Sequence, residues 1–109
     1  MATTYKILGQ SSPAATSSTA LYTVPAATST VISSIVICNR MSTTGTFRLS
    51  VGTSASAIDN SEYIAYDSSL SSNDSIALTL GMTIQSGKII SVYSSGSMMS
   101  FSAFGSEIT

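Results

Sequence analysis

The sequence has 109 residues, one domain's worth, of which 43% are hydrophobic and 8% charged. Lys and Arg total four and Asp and Glu five, the net charge is −1, and there is no histidine, no tryptophan and a single cysteine. These numbers exclude an intrachain disulfide and the basic footprint of a nucleic-acid binder, because Lys6, Arg40, Arg48 and Lys88 are few and dispersed.

Short apolar runs separated by turn signals recur every eight to twelve residues or so, the spacing of a sandwich or barrel. Tyr5–Leu8 reads as a short first strand, and Gln10–Ser18, rich in Ser, Ala and Pro, as a loop. Thr19–Val24 is a second strand closed by Pro25, which cannot continue a central strand. Thr30–Asn39 is the most hydrophobic run, apolar on nearly both faces, as expected of a central strand covered on both sides. Cys38 within it reads as a buried free thiol acting as a small hydrophobe. After the Arg40–Gly45 turn cluster, Thr46–Val51 alternates, with Phe47, Leu49 and Val51 facing one way and Arg48 and Ser50 the other.

Gly52–Asn60 is a loop of small residues. Glu62–Tyr66 is a fifth strand, expected to put Ile64 and Tyr66 on one face and Tyr63 and Ala65 on the other, followed by a polar loop, Asp67–Asp74. Ser75–Leu80 alternates with Ile76, Leu78 and Leu80 inward, and Gly81 breaks the run or makes a bulge before Met82–Ile84. Lys88–Tyr93 and Met98–Phe104 complete the set. Serine and threonine, about a third of the chain against a much lower ordinary usage, suit strands and turns, whereas the helix formers Glu, Lys, Gln and Arg are rare. The reading is an all-β single domain, an antiparallel β-sandwich of about eight or nine strands. Pattern alone does not separate a jelly-roll from an immunoglobulin-like topology.

The search for chemistry returns mainly absences. Without histidine there is no Ser-His-Asp or Cys-His nucleophile pair. Zinc sites of the usual kind need more than one cysteine, and neither a phosphate-binding loop nor a glycine-rich dinucleotide fingerprint is present. Catalytic, cofactor-binding and metal-binding residues are therefore all expected to be none. Three signals remain. Asp59, Glu62, Asp67 and Asp74 form an acidic set whose members read as turn residues, although paired carboxylates can hydrolyse glycosides and acidic loops can hold calcium. Tyr5, Tyr22, Tyr63, Tyr66 and Tyr93 suit either the rim of a sandwich core or a face for carbohydrate or protein. Asn73-Asp74-Ser75 is formally an N-glycosylation acceptor and reads as a turn. The chain shows no signal-peptide pattern and no apolar run approaching about 18 residues, so no membrane partner and synthesis in a reducing cytoplasm are expected.

In their order along the chain, Tyr5-Lys6-Ile7-Leu8-Gly9-Gln10, Leu21-Tyr22-Thr23-Val24-Pro25-Ala26 and Ile35-Val36-Ile37-Cys38-Asn39-Arg40 resemble segments of small structural proteins of tailed bacteriophages, including those of cyanobacteria. Tyr63-Ile64-Ala65-Tyr66-Asp67, Leu78-Thr79-Leu80-Gly81 and the stretch Phe101–Ile108 are similar to the same family. The chain departs from the family at Arg40-Met41-Ser42, where a more glycine-rich turn is expected. The resemblance implies a non-enzymatic virion protein with a sandwich fold, made in the host bacterial cytoplasm. A near-uncharged surface has little electrostatic protection against self-association, which suits a homo-oligomer, a trimer being a habit of virion proteins.

The first expectation is a capsid decoration or cement subunit contacting copies of itself and the major capsid protein, with Met1–Gln10 and Ile90–Thr109 supplying edge strands or arms. The alternative is a tail- or fibre-associated adhesion module that contacts tail proteins and binds host-surface glycan through exposed tyrosines or acidic loops.

Overall fold

The computed structural model describes residues 2–109. Among them eight strands are formed, β1 (Thr3–Ser11), β2 (Thr19–Thr23), β3 (Ser29–Asn39), β4 (Gly45–Gly52), β5 (Tyr63–Leu70), β6 (Ser75–Ile84), β7 (Ile89–Ser94) and β8 (Met99–Ile108), with one 3-10 turn at Asn60–Glu62. They build two four-stranded sheets in the orders β1-β8-β3-β6 and β2-β7-β4-β5, all pairs antiparallel. Pairing is nested, first strand with last and so on inward to β4 with β5, and consecutive strands otherwise change sheets. That is the jelly roll, two interlocked Greek keys, and it resolves the topology that the hydrophobic pattern left open.

The core lies between the sheets, with Leu21, Phe47, Leu49, Ile90 and Val92 from one and Ile32, Ile35, Ile37, Phe101 and Ala103 from the other. Phe47 and Phe101 meet edge to face across the layer, 6.3 Å between centroids. β3 carries the centre of it: Thr30, Ile32, Ile35, Ile37 and Asn39 are fully buried. Strict alternation would put Ile32 and Ile35 on opposite faces. One extra residue at Ser33 resets the phase, since Ile32 faces Gly105 and Ser34 faces Phe104 with nothing opposite Ser33 on β8. On the other flank, Leu80 and Gly81 of β6 lie opposite Ser33, with Gly81 at φ 60°. Gly81 therefore bulges one continuous strand.

Several expectations are corrected. β1 runs to Ser11 and β8 to Ile108, and β5 continues through the expected polar loop to Leu70. β3 is covered on one face only, for Val31, Val36 and Cys38 are half-buried on the other. Cys38 is a free thiol on that outer side rather than a core residue. Ile76 faces Ile37, yet sits at the sheet's edge and keeps 39% of its surface. β7 and β8 are interior strands, so of the two segments expected at edges only the first supplies one, β1. At the chain ends the backbones of Ala2 and Thr109 exchange two hydrogen bonds, at 3.1 and 2.9 Å.

Polar groups close the two ends of the sandwich. At one end the Asn39 amide donates to the carbonyls of Thr43, Leu70 and Ser71 and accepts from the Met41 amide, tying the β3–β4 and β5–β6 connections together. At the other, the Tyr22 hydroxyl donates to Glu107 at 2.5 Å and accepts from Thr30 at 2.7 Å, linking β2 to the opposite sheet. Lys6 completes the group with a 2.9 Å ion pair to Glu107. Burial, then the bond to Glu107, push the Tyr22 pKa up to about 12. Hydrogen bonds from Tyr22 and Lys6 hold Glu107 below the usual carboxylate range.

Two predictions follow from this packing. A side-chain carbon at Gly105 would collide with the Val31 carbonyl, which is fixed in the β3–β8 ladder. Gly105→Ala is expected to lower the unfolding free energy by about 1–3 kcal/mol, measured by urea titration, whereas Ser102→Ala on the outer face stays within about 0.5 kcal/mol. For the Tyr22–Glu107 pair, the glutamate's contribution is present above about pH 4.5 and is lost below it, because the unfolded carboxylate takes up its proton first. The tyrosine's contribution is present below pH 10 and fades as pH rises towards 12, because the unfolded phenol ionises first. In Tyr22→Phe, stability should fall less steeply above pH 10 than in the native chain.

Candidate functional site

The two sheets present different outer faces. On β1-β8-β3-β6 the outward positions are Thr3, Tyr5, Ile7 and Gln10 of β1, Ser100, Ser102, Phe104, Ser106 and Ile108 of β8, Ser29, Val31, Ser34, Val36 and Cys38 of β3, and Ser75, Ala77, Thr79 and Thr83 of β6. None is charged. Tyr5 is 84% and Ile7 56% exposed. Arg40 closes one end of the face, donating to Ser100 at 2.9 Å and Ser12 at 2.8 Å. The β6 edge is also uncharged over its ten residues. Natural edge strands normally carry charges, prolines or strong bulges to prevent pairing with another chain. β6 has Gly81 alone, while β1 has Lys6 and a register shift between Ile7 and Gly9.

The outer face of β2-β7-β4-β5 carries a polar aromatic cluster. β4 and β5 pair with two irregularities: Phe47 faces Ser68, Leu49 faces Ala65 and Ser50 faces Tyr63. Tyr66 and Asp67 therefore bulge opposite Arg48, with Asp67 at φ 49°, a backbone region that Asp and Asn tolerate better than most residues. Arg48 donates to both Asp67 oxygens, from Nε at 2.7 Å and Nη2 at 3.3 Å, and these bonds raise its pKa further. Its guanidinium carbon lies 4.3 Å from the ring centroids of Tyr66 and Tyr93. Tyr63 packs edge to face on Tyr66 at 4.8 Å. The expected pairing of Tyr66 with Ile64 is thereby overturned: the extra residues of β5 bring Tyr66 round to Tyr63.

Beside this cluster is a pocket of about 200 Å³ walled by Arg48, Tyr63, Tyr93 and Ile58, with Ser50 and Ser91 among its lining. Ser91 keeps 2% of its surface, and its hydroxyl has no hydrogen-bond partner. A buried hydroxyl left unpaired costs about 1–3 kcal/mol, so it calls for a specific reason.

The acidic set is dispersed into separate local tasks. Asp59 caps the 3-10 turn, accepting from Ser61, and Glu62 accepts from the Asp59 amide in return; the bonds from Ser61 lower the Asp59 pKa. Asp74 accepts from the amide of Ser75, in a β5–β6 turn where Asn73 is left-handed at φ 55°. Asp67 belongs to the Arg48 cluster. Among the described residues no three His, Cys, Asp or Glu side chains gather where they could hold a metal. Of the tyrosines, Tyr22 is core, Tyr5 stands on the uncharged face, and Tyr63, Tyr66 and Tyr93 meet around Arg48. Sequence reading assigned Arg48 to the face away from the core but gave Arg48, Ser91 and Tyr93 no joint role, because what joins them is the long-range β4–β7 pairing, which sets Arg48 opposite Tyr93 and Ser50 opposite Ser91.

No protein-family model matches this chain, and no curated protein matches it.

The geometry predicts two thermal-melt results. Ser91→Ala should stabilise the isolated protein, by no more than about 1–3 kcal/mol, by removing the unpaired hydroxyl. Asp67→Asn should change the midpoint little, because an exposed ion pair contributes little, whereas Asp67→Val should lower it, because a branched side chain is poorly accommodated at positive φ.

Proposed function

We propose that this protein is a non-enzymatic structural subunit of a tailed-phage virion, most simply a capsid decoration or cement protein that works by assembling with copies of itself and with the capsid surface. The observation that carries the reading is the uncharged outer face of β1-β8-β3-β6 together with its uncharged β6 edge. A surface of Ser, Thr and apolar groups can be covered without desolvating ions, whose burial costs several kcal/mol each. A free strand edge adds main-chain hydrogen bonds to a neighbour's strand. Strands of nine to eleven residues at ~3.4 Å per residue, four abreast at ~4.8 Å, give a footprint on the order of 600 Å². A standard interface covers about 800 Å² per partner, so face and edge together match one stable contact better than the face alone. The resemblance of the strand segments to phage structural proteins supplies the setting.

A second reading, a tail- or fibre-associated module adhering to host-surface glycan, draws on the tyrosine-walled pocket of the opposite sheet.

Deleting residues 1–10 would remove most of β1, a strand of the sandwich, so substitutions are the better test. Thr79→Lys places a charge on the exposed outer side of β6, where a monomer keeps it solvated. Light scattering during size-exclusion chromatography should show the native chain as a small oligomer that co-elutes with purified phage heads, and Thr79→Lys as a folded monomer that does not. A native chain that stays monomeric and ignores heads overturns the reading, as does a variant that assembles normally.

A further inference from the structure

We infer that β6 pairs with β6 of a second copy of this chain, antiparallel about a two-fold axis at Thr79, so that two uncharged sheets join into one sheet of eight strands. The inference rests on the assembly reading and deepens it by naming the occupant of the free edge. The two sheets end in four edge strands, β1, β6, β2 and β5, and three of them carry a feature that discourages pairing with another chain. β1 has Lys6 and the register shift between Ile7 and Gly9, β2 is only five residues long, and β5 carries Asp67 at φ 49°. β6 runs ten residues without a charge, and its one positive φ is at Gly81. A strand that pairs with its own copy presents the same side chains from both sides, and like charges set opposite one another repel. β6 has none to bring together.

The backbone of this edge is free. The Asn39 amide donates to the Asp74 carbonyl at 2.8 Å, one step beyond the Cys38–Ser75 pair. Bonded and non-bonded pairs alternate along an antiparallel ladder. Ile37–Ile76 and Ile35–Leu78 therefore carry the bonds to β3, and the amides and carbonyls of Ser75, Ala77 and Thr79 point away from it. Met82 and Ile84 again face the core, which keeps Gly81 and Thr83 in the same free set.

The side chains also repeat in reverse about Thr79: Leu78 and Leu80, Ala77 and Gly81, Ile76 and Met82, Ser75 and Thr83. In an antiparallel pair centred there, each residue meets a counterpart of like size and polarity. Thr79 meets Thr79 of the second copy, a pair suited to a cross-strand hydrogen bond. On the core side Leu78 meets Leu80 and Ile76 meets Met82. These are the residues that one chain leaves incompletely covered, for Ile76 is 39% exposed and Leu78, Leu80 and Met82 are only partly buried. Ala77 meets Gly81, the smallest pair, where the bulge bends the strand. Pairing the free set in this register gives about ten ladder bonds, as many as a typical protein interface holds. Centring the axis on Leu80 gives about eight and sets Thr79 against Gly81. An axis between two residues opposes outward side chains to core-facing ones.

The test uses the full chain with Cys38→Ser, so that each added cysteine is the only thiol. Under mild oxidation Thr79→Cys should form a disulfide-linked dimer, because directly opposed strand residues lie within disulfide reach. Ser75→Cys and Thr83→Cys should each stay unlinked alone, about 27 Å from the same residue of the second copy at ~3.4 Å per residue, and should link to one another when mixed. In sedimentation, Thr79→Lys and Thr79→Glu should each weaken self-association about tenfold or more, and an equal mixture of the two should restore it. Cross-linking of Ser75→Cys or Thr83→Cys alone as fast as Thr79→Cys would indicate random collision and overturn the inference, as would a Thr79→Lys and Thr79→Glu mixture that stays monomeric. A native oligomer in which Thr79→Cys stays unlinked, or a native monomer that still co-elutes with phage heads, would overturn the two-fold pairing and leave the assembly reading standing. A native monomer that ignores heads overturns both.

Discussion

The structure depends on β3 burying one face along its whole length. Thr30, Ile32, Ile35, Ile37 and Asn39 all point between the sheets, and they do so only because an extra residue at Ser33 shifts the phase of the pleat. A one-residue change of register carries every later side chain to the other face. Without the bulge, either Ile32 or the Ile35–Ile37 pair would leave the core, and fully burying each such side chain contributes about 1.5–3 kcal/mol. The neighbouring strands are fitted to that shift. Gly105 lets β8 approach the Val31 carbonyl, and Leu80 with Gly81 supply the matching bulge on β6.

The jelly-roll order then decides which chemistry each surface carries. At one rim Glu107 turns inward to accept from Tyr22, and Lys6 pairs with that carboxylate. Arg40 and Asp74 lie at the ends of strands, Asp59 and Glu62 stay in the β4–β5 connection, and Arg48 and Asp67 pair on the outer side of β4 and β5. Lys88 stands in the turn before β7. This distribution leaves the outward strand positions of β1-β8-β3-β6 without a charged side chain. One sheet is suited to being covered by protein, and the other holds a fixed guanidinium, three tyrosines and a small pocket. The two surfaces are back to back, on opposite sheets of the sandwich.

Much of the fold was legible in the sequence because the strands obey simple periodicities. The Phe47, Leu49 and Val51 alternation placed β4 and its faces, and Pro25 ended the second run where β2 ends. Gly81 was readable as a break or a bulge. The lengths of β1, β5 and β8 were not, because Gln10–Ser11, Asp67–Leu70 and Gly105–Ile108 pair through their backbones with side chains that also suit loops. Asp67 illustrates the difficulty: an acidic residue beside serines reads as a turn, yet it sits within a strand at positive φ. The apparent two-faced apolarity of Thr30–Asn39 reflects a phase shift rather than cover on both sides. The pocket was legible only as a set of tyrosines, since the two irregularities of β5 that gather Tyr63 and Tyr66 around Arg48 depend on pairing with β4. Glu107, a partner of both Tyr22 and Lys6, gave no local signal, because its contacts are 85 residues or more away in sequence.

The central claim, that the β6 edge and its sheet face are made to be covered by a neighbour, is tested most directly by hydrogen–deuterium exchange on assembled particles and on the dissociated protein. In a free subunit the β6 amides not bonded to β3 point to solvent and exchange quickly. The account predicts that assembly slows exchange across Ser75–Ile84 and leaves β5, the edge strand of the other sheet, unchanged. Equal exchange of β6 in the two states, or protection confined to β5 and the Arg48 cluster, would contradict it.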